Sequence, residues 1–186
     1  MDLMDFVFPV VDALSVLTLI GGIIVLVLLV SLLIEALTHR RLVLLNAVSQ
    51  HAFLFMLVVA LAATCGSLFL SEIAQWAPCK LCWFQRIFMY PQVVVLAIAL
   101  WKRDRTLARV ILAFALIGMV FSVIHYVEQI HATFFAPPEA LEPCDASGVP
   151  CAQTYTFRFG YITVPMMALT AFVMNALASI VVLRRR

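Results

Sequence analysis

Five apolar runs decide what this chain can become. They span roughly Leu14 to Leu37, Ala47 to Leu70, Cys82 to Trp101, Leu107 to Ile130 and Tyr161 to Leu183. A helix needs about 20 such residues to cross the hydrocarbon core of a bilayer. Continuous apolar stretches of this length exclude barrel strands, which are shorter and alternate between two faces. Of the 186 residues, 65% are hydrophobic and 12% charged, against about 25% charged in a soluble domain. The sequence predicts an all-α integral membrane protein. Its net charge of +2 gives no footing for nucleic-acid binding, and no Gly-rich phosphate loop or basic aromatic stripe is present.

Basic residues in short loops mark the cytoplasmic side. His39, Arg40 and Arg41 separate the first two runs; Lys102, Arg103 and Arg105 separate the third and fourth; Arg184, Arg185 and Arg186 end the chain. If all five runs span, these clusters share one face. The other face receives an N-terminal tail carrying Asp2, Asp5 and Asp12, with the loops around Lys80 and from Glu139 to Arg158. The N-terminus is predicted outside and the C-terminus inside. A cleaved signal peptide fits the first run poorly, because its leading segment is acidic and the run is too long.

This orientation places Cys79, Cys82, Cys144 and Cys151 on the outer, oxidising face, where disulfides persist. Four cysteines allow three pairings. A tetrahedral zinc site is disfavoured by the compartment and by the Cys144/Cys151 spacing, so no metal is expected. A structural staple suits Cys144 and Cys151. It suits Cys79 and Cys82 less well, because a Cys-x-x-Cys bridge closes too small a loop to constrain the unfolded chain much. A redox relay is the third reading. With a helix starting near Cys82, Arg86 lies one turn further on the same face. The positive helix N-terminus and the guanidinium then both favour a Cys82 thiolate. Arg86 has two readings, a functional charge or a side chain snorkelling to the headgroups. Thiol exchange only moves disulfides, so forming them net requires an oxidant. Membrane quinones are one such class, and Trp76, Trp83, Phe84, Phe88 and Tyr90 are available to surround a ring; Trp76 also fits an interfacial belt.

The stretches GSLFLSEIAQWAPCKLCWFQRIFMYP, HYVEQ and VPCAQTYTFRFGYITVPMMALTAF resemble the DsbB/BdbC disulfide bond formation proteins, in particular the short-loop BdbC-like branch. The resemblance runs from about Ala47 to the C-terminus. It implies a four-helix transmembrane bundle over residues 42–186, preceded here by an N-terminal extension, residues 1–41, with one extra transmembrane helix. It further implies a thiol oxidase of the bacterial cytoplasmic membrane. Such a protein reoxidises a DsbA-like thioredoxin-fold partner and passes the electrons to a quinone, ubiquinone or menaquinone. Carried onto this chain, Cys144 would be attacked by the partner's thiolate, releasing Cys151. Cys151 would then pair with Cys79, leaving Cys82 as the thiolate at the quinone with Arg86 on the quinone oxygen. Two departures stand out: the extra helix, and only six residues between Cys144 and Cys151.

Other residues carry quieter expectations. His125 is either a group that places the quinone or moves its protons, or an interfacial histidine bonded to backbone or water. Cys65 is expected to be a packed apolar thiol. Glu35 is expected to sit near Arg40 and Arg41, and Pro165 to kink the last span. Gly160 is expected to break the chain as it turns back into the membrane. Two other functions compete with this one. A vitamin K epoxide reductase-like oxidoreductase is disfavoured because its loop cysteines precede the Cys-x-x-Cys. A non-enzymatic, disulfide-stapled assembly factor would hold both cysteine pairs locked.

Overall fold

The computed structural model describes residues 3–135 and 148–185. Asp2, Glu139, Cys144 and Arg186, to which expectations attach, lie outside the described residues. The apolar runs become five helices, all long and apolar enough to cross a membrane: α1 (Leu3–Thr38), α2 (Val43–Leu68), α3 (Lys80–Lys102), α4 (Ala108–Phe135) and α5 (Val164–Arg184). A π-helical turn, Phe69–Ile73, extends α2, and a 3-10 turn, Arg105–Leu107, leads into α4.

The buried faces follow helical periodicity. On α4 the buried residues are Ala108, Ile111, Ala115, Gly118, Ser122, His125 and Gln129. On α3 they are Gln85, Met89, Gln92, Leu96 and Ala99. Steps of three and four make one narrow stripe per helix. The α4 stripe is rich in small residues, which let helices approach where lipid supplies no hydrophobic drive. α5 is buried on most sides and runs through the middle of the bundle, against α4, α2 and α1. Inside it, Asn175 Nδ2 donates to Gln92 Oε1 at 2.9 Å, tying α5 to α3 through a polar pair shielded from lipid.

The extra helix is part of this assembly. α1 packs along α5 and touches α2 more sparingly. It opens at Leu3, well before the expected start, so the segment carrying Asp5 and Asp12 is helix and not a tail. Pro9 lies inside it. Packing holds this first part: Val7 and Val11 are buried with Leu70, and Phe6 meets Phe69 edge-on at 5.7 Å. Arg158 Nε lies 2.8 Å from Asp12 Oδ1, and Arg185 Nη2 lies 2.6 Å from Glu35 Oε2. The second pair corrects the expectation for Glu35. Its counterion is Arg185 of α5, because the α1–α5 packing brings the two helix ends together, whereas Arg40 and Arg41 are exposed in the linker.

Two further expectations are corrected. Pro165 does not kink α5; it sits buried in the helix's first turn, where a missing N–H costs nothing. Cys65 is exposed on α2, off the buried stripe of Leu45, Ser49, Ala52, Met56 and Ala60, so it faces outward. Gly160, at φ 77°, does turn the chain, inside a bridge between Arg158 and Ile162. The basic clusters gather at one end of the bundle, where Arg105 donates to the carbonyls of Arg185 and Ser49 at 3.4 and 3.5 Å.

The tightest helix contact is testable. A Cβ on Gly118 would lie 2.3 Å from the ring of Phe172, which is fully buried. Gly118→Val is expected to cost about 1–3 kcal/mol by overpacking and to lower the thermal midpoint in detergent. Phe172→Leu in the same chain should recover part of that loss.

Candidate functional site

The site is built where α3 begins. The segment between the π-helical turn and α3 brings Cys79 to the N-cap of α3, and Cys82 N–H donates to Cys79 Sγ at 3.4 Å. A sulfur thus takes the capping place that oxygen usually fills. Cys79 Sγ also donates to Cys82 Sγ at 3.2 Å. Of the two sulfurs, Cys82 is the acceptor. Cys79 is 4% exposed. Its hydrogen bond to Cys82 and its burial push its thiol up from 9.0 to about 12.

His125 of α4 joins the dithiol to the rest. It is 1% exposed, and Gln85 Nε2 donates to its Nδ1 at 2.9 Å. That bond leaves the ring proton on Nε2, which donates to the carbonyl of Cys151 at 3.0 Å and lies 3.6 Å from Cys79 Sγ. The interfacial reading of His125 is therefore only half right: it does bond to backbone, but from within the core.

The loop that carries Cys151 is fastened on two sides. Gln129 Nε2 donates to Gln153 O at 2.9 Å and Tyr126 Oη to Tyr161 O at 3.1 Å, both from α4. Tyr155 stacks on Trp76 with centroids 5.1 Å apart, and its hydroxyl reaches Ala77 O at 3.4 Å. Trp76 is thus a loop anchor. Burial pushes the Tyr155 phenol up. The result is a buried Cys151 beside His125.

Arg86 does not snorkel. Its Nε and Nη2 donate to the hydroxyl and carbonyl of Ser67 on α2, each at 3.0 Å, and Tyr90 donates to the same hydroxyl at 3.2 Å. Ser67 stands just before the π-helical turn, a kind of helix widening often found at functional sites. The guanidinium also lies 5.2 Å from the Trp83 ring.

Cys79, Cys82, Gln85, Arg86 and His125 all line one cavity of about 290 Å³, and its remaining walls are mostly apolar. A flat, largely apolar ring fits this division, with hydrocarbon on most sides and the Arg86 guanidinium to meet a ring oxygen; Gln129 also lines the cavity, and its Oε1 is buried without a partner among the described residues. A metal fits less well. The ligand atoms of Cys79, Cys82 and His125 lie within 4.8 Å of one another, yet both His125 nitrogens already serve Gln85 and the Cys151 carbonyl.

Four of the expected site residues, Cys79, Cys82, Arg86 and His125, meet at this cavity, and Cys151 stands against it through its carbonyl; Cys144 lies outside the described residues. Gln85 and Ser67 carried no expectation. Gln85 was legible as the first member of the α3 stripe; nothing in the sequence marks Ser67 as the partner of Arg86.

These features define a membrane helical bundle that holds a buried dithiol at one end. The DsbB family, described as disulfide bond formation protein DsbB, matches residues 49–182, and the chain belongs to that family. Disulfide bond formation protein C of Bacillus subtilis is 46% identical over 63% of this chain and 81% of its own length. Probable disulfide formation protein C of Halalkalibacterium halodurans is 42% identical over 69% of this chain and 90% of its own. A probable disulfide formation protein of Metapseudomonas resinovorans is 38% identical over 69% and 86%. No solved structure matches the chain.

The raised Cys79 thiol sets a pH dependence with a definite sign. A folded value near 12 against 9.0 unfolded favours the protonated, folded state. The reduced protein's stability from this group is complete below about pH 9 and falls as pH rises toward 12. In alkylation mass spectrometry of the reduced protein, Cys79 should stay slow to react through pH 10. Cys82→Ala removes the largest cause of the shift, so Cys79 should then react at lower pH; an ordinary thiol profile in the unsubstituted protein would contradict this.

Proposed function

We propose that this protein is a quinone-dependent thiol oxidase that reoxidises a thioredoxin-fold dithiol partner outside the cytoplasm. The observation that carries the reading is the convergence of a dithiol, an arginine and a buried histidine on one mostly apolar cavity. The family's role in disulfide formation supplies the coarser frame. The basic end of the bundle faces the cytoplasm in this reading, which puts the dithiol on the oxidising side of a bacterial inner membrane.

The exchange sequence follows the family resemblance. The partner's thiolate attacks Cys144 Sγ, breaking a Cys144–Cys151 disulfide and releasing the Cys151 thiolate. Cys151 attacks Cys79 Sγ of an oxidised Cys79–Cys82 pair, and Cys82 leaves as a thiolate. The partner's second thiol resolves its mixed disulfide with Cys144, so the partner departs oxidised and Cys144 is reduced. A bound quinone, ubiquinone or menaquinone, supplies a sink for two electrons and two protons. Cys144 then attacks Cys151 Sγ, re-forming the Cys144–Cys151 disulfide and releasing Cys79, and the Cys79–Cys82 dithiol would give its two electrons and two protons to that sink as its own disulfide re-forms. His125 Nε2–H is placed to give a proton to the sulfur of Cys79 and to steady the carbonyl of Cys151. Arg86, held at two points by Ser67, presents a fixed positive charge to a carbonyl oxygen at the cavity's polar end.

Purified protein in proteoliposomes should reduce quinone when given a reduced thioredoxin-fold partner, followed by quinone absorbance. Cys82→Ser should abolish turnover; normal turnover would overturn the mechanism. Arg86→Lys keeps the charge but loses the two-point hold on Ser67. It should raise the KM for quinone roughly tenfold, about 1.4 kcal/mol, with a smaller effect on kcat.

A further inference from the structure

The cavity does not end at the dithiol. From Cys82 and Arg86 it continues between α2 and α1, walled on one side by Val58, Ala62 and Gly66 and on the other by Leu17, Ile20 and Ile24, with α5 as its floor. The extra helix stands outside the family match, which begins at residue 49, yet it supplies one wall of the same cavity that holds the family's dithiol.

Three observations make that wall a built one. Gly21 lets α1 close onto the floor: a Cβ there would lie 2.9 Å from Thr170 and 3.1 Å from Met174. Leu14 holds α1 against α2 near the dithiol end, where a Cβ on Gly66 would meet its side chain at 3.1 Å. Ion pairs fasten α1 beyond both ends of the groove, Asp12 to Arg158 and Glu35 to Arg185. Below Leu14 the walls separate. Leu17, Ile20 and Val58 keep 54%, 48% and 57% of their surface exposed. From Leu14 to Ile24 the groove is roughly 15 Å long, at 1.5 Å of rise per residue.

We infer that α1 forms one wall of a groove for the polyprenyl tail of the quinone, with the ring at Arg86 and the first few prenyl units lying between α1 and α2. This rests on the quinone reading above and extends it to a helix outside the family match. The chemistry of the lining selects the occupant. The groove is a continuous apolar channel that opens from the polar end of the cavity, so a molecule with a polar ring and a branched hydrocarbon tail fills both parts. A lipid acyl chain would fill only the second.

The test uses the full chain in vesicles of phosphatidylethanolamine and phosphatidylglycerol. Two quinones are compared, one with a long polyprenyl tail and one with no tail. Ala62→Phe and Leu17→Trp narrow the groove from opposite walls, and each should raise the KM of the tailed quinone relative to the tailless one roughly tenfold. Less tailed quinone should also be retained through purification. A tailed quinone with a diazirine on its first prenyl units should label peptides from α1 and α2. The inference is overturned if the KM ratio is unchanged, or if the label falls on α3 and α4, or if an acyl-chain diazirine lipid labels the groove and tailed quinone does not compete. If neither quinone is reduced or retained by the unsubstituted protein, the quinone reading fails and the groove fails with it. Reduction of both quinones with label away from α1 removes the groove alone.

Discussion

A polar group inside a bilayer must find its partner within the protein, because there is no water to supply one. This constraint organises the bundle. Outside the dithiol end, its clearest result is the Asn175–Gln92 pair that joins α5 to α3. At the dithiol end, Gln85, His125 and the Cys151 carbonyl form one chain of hydrogen bonds from α3 through α4 to the loop. Arg86, Tyr90 and Ser67 form another, from α3 to α2. Remove the histidine and the loop that carries Cys151 loses one of its links to the core, the one at the cysteine itself. The reactive sulfurs are positioned by this network as much as by the chain that bears them.

The same network explains why the dithiol is asymmetric. Cys79 caps the helix and donates to Cys82, so its proton is held between two sulfurs inside the protein. His125 adds a second polar contact to Cys79. A protein that exchanges disulfides needs one thiol to wait while the other reacts. Here the waiting is done by burial and hydrogen bonding at Cys79.

Much of this was legible in the sequence. Apolar length alone announced five helices, and Cys79, Cys82 and Arg86 could be placed one turn apart because helical spacing is fixed. Other features depended on which face meets which, and one chain's pattern does not tell that. Glu35 was expected beside its neighbours in sequence, but its partner comes from the other end of the chain. Cys65 lies among apolar residues like any packed thiol, yet the buried stripe of α2 passes it by. His125 could have been read more sharply, since it continues the three-and-four stripe of Ala115, Gly118 and Ser122 and so belongs to the interior. Ser67 had no such signal; its importance arises from α2 lying across from α3.

The two ion pairs of α1 bear on the membrane itself. Asp12 and Glu35 are 23 positions apart on one helix, roughly 35 Å at 1.5 Å per residue, slightly more than the hydrocarbon core of about 30 Å. With α1 upright, both pairs sit at headgroup level in a bilayer close to that thickness. A thicker membrane would draw one pair into hydrocarbon; a thinner one would leave apolar turns of α1 in water. The helix that walls the cavity is also a ruler, whose reach a tilt of the bundle adjusts to the membrane around it.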